Sequence, residues 1–220
     1  MLLQNGMFLD LSLYLVTDRG QSRGRTTVEV VRAAIAGGVT CVQLREKACS
    51  TREFITEARL LADLLRGSGI PLIINDRLDV ALAVGAQGLH LGQQDMAIAD
   101  ARRLAGPNLI IGVSAESLAD ARRAAVEGAD YLGISPVFAT ATKKDAAAPL
   151  GLAGVRQIRA AVGLPLVGIG GINHHNAAEV MAAGADGVAV VSAIVAAPCP
   201  RSAAATLKRR LAQLNRGEVL

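Results

Sequence analysis

Two hundred and twenty residues, 51 % of them apolar and only 19 % charged, exclude a disordered chain and suffice to bury about 70 % of the unfolded surface without disulfides or a structural metal. The apolar share is aliphatic, with three Phe, two Tyr and no Trp, so the core must be built from Val, Ile, Leu and Ala, as parallel strands under alanine-rich helices require. A net charge of +4 with so few aromatics and no nucleic-acid motif argues against nucleic acid and for an anionic small molecule as partner.

From the N-terminus, residues 1–11 form a short extension with no basic region, and no apolar run reaches the ~18 residues of a membrane span. Short apolar runs then alternate with amphipathic stretches to the end of the chain. They predict strands at 12–17, 40–45, 71–74, 88–91, 109–112, 130–134, 165–168 and 187–190. The clearest helical patterns lie at 51–66, 118–127, 152–161, 176–183 and 203–214. Eight strand-then-helix units predict an α/β fold, a single (β/α)8 TIM barrel in one domain; an open doubly wound sheet is the rival. Four segments, beginning at Ala36, Val84, Glu127 and Ala183, repeat one plan of helix end, glycine and new strand at spacings of 48, 43 and 56 residues. A quarter-barrel repeated four times has this period. Cys41, Cys49 and Cys199 lack metal-ligand spacing, and so predict a reduced, cytoplasmic protein.

In such a barrel the chemistry sits where strands end. The second strand delivers Gln43, Arg45 and Lys47 at alternate positions on one face, an arrangement costly beside apolar strands unless an anion such as a diphosphate meets it. The third ends in Asn75-Asp76, which read alone is a helix cap. The fourth runs through His90 to Asp95. Asp76 and Asp95 then rise from adjacent units beside the cations, a pair suited to a hard ion such as Mg²⁺. His90 faces inward, as a core histidine or a substrate contact. After the fifth strand comes Ser114, with no neighbouring histidine in sequence to activate it, hence a hydroxyl donor or a cap rather than a nucleophile. The longest connection, 135–151, is a candidate lid carrying Thr140, Thr142, Lys143 and Lys144. The seventh and eighth strands end in Gly170-Gly171 and Val191-Ser192, small residues that let backbone N–H groups approach a phosphate. His174-His175 lacks a third ligand at matching spacing. The pairs Arg102-Arg103, Arg122-Arg123 and Arg209-Arg210 read as solvated helix faces.

These motifs stand in one order: Leu13-Tyr14-Leu15-Val16-Thr17-Asp18, Val42-Gln43-Leu44-Arg45-Glu46-Lys47, Ile74-Asn75-Asp76-Arg77, His90-Leu91-Gly92-Gln93-Gln94-Asp95, Gly112-Val113-Ser114, Pro136-Val137-Phe138, Thr140-Ala141-Thr142-Lys143 and Ile169-Gly170-Gly171-Ile172. In that order the chain resembles the thiamin phosphate synthase (thiamin-phosphate pyrophosphorylase) family from Leu13 to about Ala193. The resemblance implies a transferase that joins an aminopyrimidine-methyl diphosphate to hydroxyethylthiazole phosphate, releasing pyrophosphate, with Mg²⁺ as cofactor. It implies that Gln43, Arg45, Lys47, Asn75, Ser114 and Lys143 hold the pyrimidine diphosphate, with Lys143 and Ser114 as catalytic groups. It further implies that Asp76 and Asp95 bind the metal, and that Thr140, Thr142, Gly171, Val191 and Ser192 hold the thiazole phosphate. The chain departs from the family pattern at Ala139, where a proline is usual, and at Ala115-Glu116, where Thr-His is frequent. A thiazole tautomerase and a catalytically silent phosphate binder are the competing functions. Small-molecule partners are expected, with no membrane and no nucleic acid, and a homo-oligomer is compatible with the sequence.

Overall fold

The computed structural model describes residues 9–140, 142 and 147–214. Eight parallel strands close into a barrel in sequence order. They are β1 (Leu13–Val16), β2 (Cys41–Leu44), β3 (Leu72–Asn75), β4 (Gly88–Leu91), β5 (Ile110–Ala115), β6 (Tyr131–Ile134), β7 (Leu166–Ile169) and β8 (Gly187–Val190). Around them run α1 (Thr27–Ala36), α2 (Thr51–Leu65), α3 (Leu78–Val84), α4 (Ile98–Ala105), α5 (Leu118–Glu127), α6 (Gly151–Ala161), α7 (Ala177–Ala182), α8 (Ser192–Val195) and α9 (Pro200–Leu214). Closure is made by β1 against β8, with Leu15 opposite Val190. No helix among the described residues is long and apolar enough to cross a membrane.

The expected strands are all present, and one is longer than its sequence pattern implied. β5 continues past Gly112 to Ala115, because Gly112 is not a break. A Cβ there would lie 2.0 Å from the Tyr131 ring; the missing side chain is the space in which that ring sits.

Helix α2 shows how the shell is specified. Ser50 and Glu53 form a reciprocal capping box at its start, satisfying two otherwise orphaned N–H groups. Phe54, Ala58, Leu61 and Leu65 then recur at helical spacing and are buried against the barrel, each large side chain contributing about 1.5–3 kcal/mol. Of the repeated helix-end glycines, Gly85 and Gly128 cap in the left-handed region. In the first repeat that conformation falls on Gly38, while Gly37 lets α9 approach: a Cβ would sit 2.4 Å from the Arg201 carbonyl.

Strand alternation sorts the core into two compartments. Outward residues such as Leu15, Leu44, Ile74, Leu91 and Val190 pack under the helices. Inward residues Tyr14, Val16, Cys41, Ile73, Ile110, Tyr131, Val167 and Ala189 fill the barrel with Leu9 and Leu11. Leu9 and Leu11, at the end of the expected extension, are therefore buried rather than external. Arg102 is also more than a solvated face: it bonds the Leu109 carbonyl and Asp130, tying α4 to the loops before β5 and β6.

Candidate active site

Above the apolar interior, at the C-terminal ends of the strands, lies a cavity of about 300 Å³. Gln43, Arg45, Lys47, Asn75, Asp76, Asp95, Ser114, Thr140, Thr142, Gly171, Val191 and Ser192 all line it. Lys143, the remaining expected site residue, and Lys144 lie outside the described residues.

The floor is a continuous polar chain. Gln43 Nε2 donates to the Tyr14 hydroxyl at 2.9 Å, and Tyr14 meets Tyr131 at 2.9 Å. Tyr131 meets His90 Nδ1 at 3.0 Å, and His90 Nε2 meets Ser114 Oγ at 3.0 Å. Burial pushes both phenols well above their ordinary pKa and pulls the His90 imidazole down to about 4. The chain is thus neutral at physiological pH, as desolvation demands.

This corrects the sequence reading of Ser114. It has a histidine partner after all, contributed by β4 rather than by a neighbour in sequence. It does not cap a helix either, since Ser117 fills that role for α5. The pair is nonetheless no nucleophile–base unit. An imidazole held near pKa 4 is a weak base at neutral pH, and its second nitrogen meets a phenol instead of a carboxylate. His90 proves to be both a core histidine and a cavity-lining one.

One rim, above β2, β3 and β4, carries charge. The Arg45 amide donates to Thr17 Oγ1 at 3.0 Å, and Lys47 Nζ lies 2.5 Å from Asp76 Oδ2. Asp76 stands at φ 63°, an uncommon position for a non-glycine residue. Two backbone bonds hold it there, Asp76 N to the His90 carbonyl and Arg77 N to the Asn75 carbonyl, each 2.8 Å. This is not the capping geometry that Asn-Asp implies alone: α3 starts without a side-chain cap. Asp95 Oδ2 accepts from Gly92 N at 2.7 Å. Partial burial, and then the Asp76 carboxylate beside it, raise the Asp95 pKa above its ordinary value.

Two adjacent carboxylates are a repulsive arrangement that a hard cation relieves. No cluster of three or more His, Cys, Asp or Glu suited to a metal occurs among the described residues. Mg²⁺ is commonly held by one or two protein carboxylates, its shell completed by water and substrate phosphate oxygens. The donor set therefore suits the ion the resemblance implies.

The opposite rim, above β6, β7 and β8, has no charged side chain lining the cavity among the described residues. The root of the β6–α6 connection is fixed on both sides. Val137 N and Phe138 N donate to the carbonyls of Ile169 and Gly170, while Leu150 N and Gly151 N donate to those of Pro136 and Val137. Gly170 and Gly171 stand at φ 100° and 65°. Their absent Cβ atoms would meet Pro136 Cβ and the Ala139 carbonyl, each at 2.6 Å. The glycine pair is thus required first by the neighbouring loop, a reason the sequence did not disclose. Asn176 holds the Gly171 carbonyl at 3.0 Å. Arg25 ties down the turn after α8 through the carbonyls of Val195, Ala197 and Pro198, at 2.9, 2.8 and 3.2 Å.

The phenols of Tyr14 and Tyr131 were missed as site residues because each sits in an apolar strand and reads as core. The signal that marks them is complementary: glycines inside neighbouring strands, where only a close approach explains them. The His174 and His175 rings, tilted with their centroids 3.9 Å apart, are exposed and away from the cavity.

The thiamine monophosphate synthase family matches residues 13–194. The thiamine-phosphate synthase of Chloroflexus aurantiacus is 60 % identical over 200 residues, covering 91 % of this chain and 92 % of that protein. The thiamine-phosphate synthase of Albidiferax ferrireducens is 58 % identical over 199 residues, covering 90 % and 91 %. Among solved structures, a thiamine phosphate pyrophosphorylase from Pyrococcus furiosus superposes with a TM-score of 0.86 at 42 % identity, covering 94 % of this chain and 98 % of that one.

Proposed function

The chain belongs to the thiamine monophosphate synthase family, and from that premise we propose how its barrel mouth makes thiamin phosphate. The enzyme is a transferase. It moves the 4-amino-2-methylpyrimidin-5-ylmethyl group from diphosphate to the ring nitrogen of hydroxyethylthiazole phosphate. One C–O bond breaks, its electron pair leaving with pyrophosphate; one C–N bond forms from the thiazole lone pair, and no net proton transfer is needed.

The observation that carries the reading is the division of the mouth, among the described residues, into a charged rim and an uncharged one over a neutral polar floor. Arg45 and Lys47 bind and orient the diphosphate on the charged rim, where Asn75 adds a neutral amide. Asp76 and Asp95 would hold Mg²⁺, which when bound neutralises charge on the departing diphosphate. Gln43 and Ser114 orient the pyrimidine over the floor. Thr140, Thr142, Gly171, Val191 and Ser192 hold the thiazole phosphate opposite, so that its nitrogen faces the methylene carbon. Lys143 brings a further cation to the diphosphate.

Because the 4-amino group feeds electron density into the ring, bond breaking runs ahead of bond making, through a pyrimidine-methyl cation. No protein nucleophile is required, in keeping with the weakly basic His90 beside Ser114. Catalysis then lies in orientation and in stabilising charge on the leaving group. A reduced, cytoplasmic setting suits the free thiols of Cys41, Cys49 and Cys199.

The test is an assay of pyrophosphate release with the pyrimidine diphosphate, the thiazole phosphate and Mg²⁺ together. Release that requires both substrates and yields one thiamin phosphate per pyrophosphate is expected. Binding of the substrates without release would mark a silent binder and overturn the assignment; isomerisation of the thiazole without release would mark a tautomerase.

A further inference from the structure

The floor of the cavity links five side chains from five strands, and the donor and acceptor capacities of those groups restrict where its protons sit. Gln43 Nε2 is a donor only, so the Tyr14 oxygen accepts from it at 2.9 Å. Tyr14 has one proton of its own and two neighbours that can take it, the Tyr131 oxygen at 2.9 Å and the Cys41 thiol. Thiol sulfur is a weak acceptor, so that proton goes to Tyr131. The Tyr131 proton then turns to His90 Nδ1, 3.0 Å away. A phenol donating to an imidazole nitrogen pairs the more acidic donor with the better acceptor. The reverse order would spend the imidazole lone pair on the serine hydroxyl and leave Tyr14 to donate to sulfur. With Nδ1 accepting on a neutral ring, the histidine proton is on Nε2 and points at Ser114 Oγ, 3.0 Å away.

We propose that Tyr131 imposes this single direction on the chain, holding His90 as its Nε2–H tautomer and turning the Ser114 hydroxyl proton into the cavity, while Tyr14 fixes Gln43. The rings have no freedom to adopt another arrangement cheaply. A Cβ at Gly112 would fall 2.0 Å from Tyr131 Cζ, and one at Gly133 would fall 3.1 Å from His90 Cε1, so both rings sit in sockets cut for them. Tyr14, Tyr131 and His90 are thus positioning residues, acting on a ligand through Gln43 and Ser114.

The consequence is a polarised floor. On the β2 side Gln43 has committed its N–H₂ to Tyr14 and offers its carbonyl oxygen; on the β5 side Ser114 offers a proton. A flat ligand that suits this pair has an N–H donor on one part of its edge and an unprotonated ring nitrogen on another, as a 4-aminopyrimidine has. The corresponding 4-oxopyrimidine presents an acceptor where the amino group donates, and it is disfavoured. This consequence for ligand choice rests on the proposed function; the proton order itself is a property of the ligand-free chain.

The protein has three histidines, and His174 and His175 are exposed and away from the cavity. In a His174→Gln/His175→Gln variant labelled with ¹⁵N-histidine, two-bond ¹H–¹⁵N correlation at neutral pH reads the His90 tautomer without any ligand. The Nε2–H form is expected; a predominant Nδ1–H form overturns the proposal. The two phenols are then removed singly in that background. Tyr131→Phe deletes the donor to Nδ1, and a mixture of tautomers is expected. Tyr14→Phe leaves the Tyr131–His90 bond in place, and Nε2–H is expected to persist. A role limited to packing predicts no such asymmetry, and an unchanged tautomer in Tyr131→Phe overturns the directing role. Competition binding of the 4-amino and 4-oxo forms of 5-hydroxymethyl-2-methylpyrimidine provides the second readout. The parent is expected to prefer the amino form about tenfold or more, and Tyr131→Phe to lose most of that preference. No preference in a parent with an Nε2–H His90 would overturn the claim that the floor is polarised toward the ligand.

Discussion

The two rims of the cavity do comparable work by opposite means. Above β2, β3 and β4 the site is made of charge: Arg45, Lys47, Asp76 and Asp95, with Asp76 held in an uncommon backbone conformation by two short backbone bonds. Above β6, β7 and β8 the cavity lining among the described residues is hydroxyl, glycine and aliphatic, shaped by loops that approach so closely that a Cβ would collide. Under the proposed function, the difference follows from what each phosphate does. The diphosphate leaves, so its charge grows during reaction and rewards groups that strengthen as it grows. The thiazole phosphate is only a handle, and a neutral, preformed cradle suffices for uniform binding. The charged rim should therefore be sensitive to changes of charge, and the uncharged one to changes of volume.

The largest expected effect is on the charged rim. Exhaustive chelation should lower pyrophosphate release by about 10³-fold or more, the several kcal/mol that a cation on a leaving group supplies. Asp76→Asn and Asp95→Asn should each raise the Mg²⁺ concentration needed for half-maximal rate. Undiminished turnover after chelation, or wild-type behaviour of both variants at limiting Mg²⁺, would show that the carboxylate pair serves some other purpose.

Next comes Lys143, assigned to the diphosphate by the resemblance. Loss of a donor that acts on charge building in the transition state costs about 10²–10³ in rate. Lys143→Ala should lower the single-turnover rate by that factor with little change in thiazole phosphate binding, and Lys144→Ala should change neither. Equal, small effects at both positions would make the two lysines interchangeable surface charges.

On the uncharged rim, Gly170→Ala tests volume without altering any group assigned to a substrate. The added Cβ would lie 2.6 Å from Pro136 Cβ and 2.8 Å from Pro136 Cα, at φ 100°. Relief requires the loop to shift, at a cost of about 1–3 kcal/mol. The KM for thiazole phosphate should rise about 10-fold or more and the Tm should fall, while the KM for the pyrimidine diphosphate stays within about twofold. A change confined to the diphosphate would reverse the assignment of the two rims.

The same division explains what could be read in the sequence. The barrel was legible because eight apolar runs alternate with amphipathic stretches, and the charged rim because Arg45, Lys47, Asp76 and Asp95 are charged residues just past the ends of apolar strands. The rest depends on approaches between distant segments. Ser114 and His90 are 24 residues apart, so sequence adjacency wrongly left the serine without a histidine. Tyr14 and Tyr131, 117 residues apart, sit in apolar runs that carry no sign of the polar chain they complete. The expected strand stops at Gly112, whereas β5 runs on to Ala115 and Gly112 is the socket for Tyr131. Gly170 and Gly171 were read as ligand-facing, and the close approach they permit is to Pro136, Phe138 and Ala139.

The smallest effect expected is at Ser192, the first residue of α8. The side chain is exposed and lines the cavity, and the turn after the helix is held by three Arg25 bonds to carbonyls. Removing the hydroxyl therefore deletes one hydrogen bond to a phosphate without disturbing the backbone that presents it. A hydrogen bond to a charged partner contributes about 1.5 kcal/mol at the low end of its range, or roughly tenfold in affinity. Ser192→Ala should accordingly raise the KM for thiazole phosphate about 5–10-fold, with kcat at saturating substrate and the Mg²⁺ requirement unchanged. Arg25→Lys supplies the contrast. Lysine cannot bridge three carbonyls, so the turn itself loosens, and both the thiazole phosphate KM and the Tm should respond. If Ser192→Ala lowered kcat as much as it raised KM, the hydroxyl would be acting on the transition state. The uncharged rim would then be more than a handle for the second substrate.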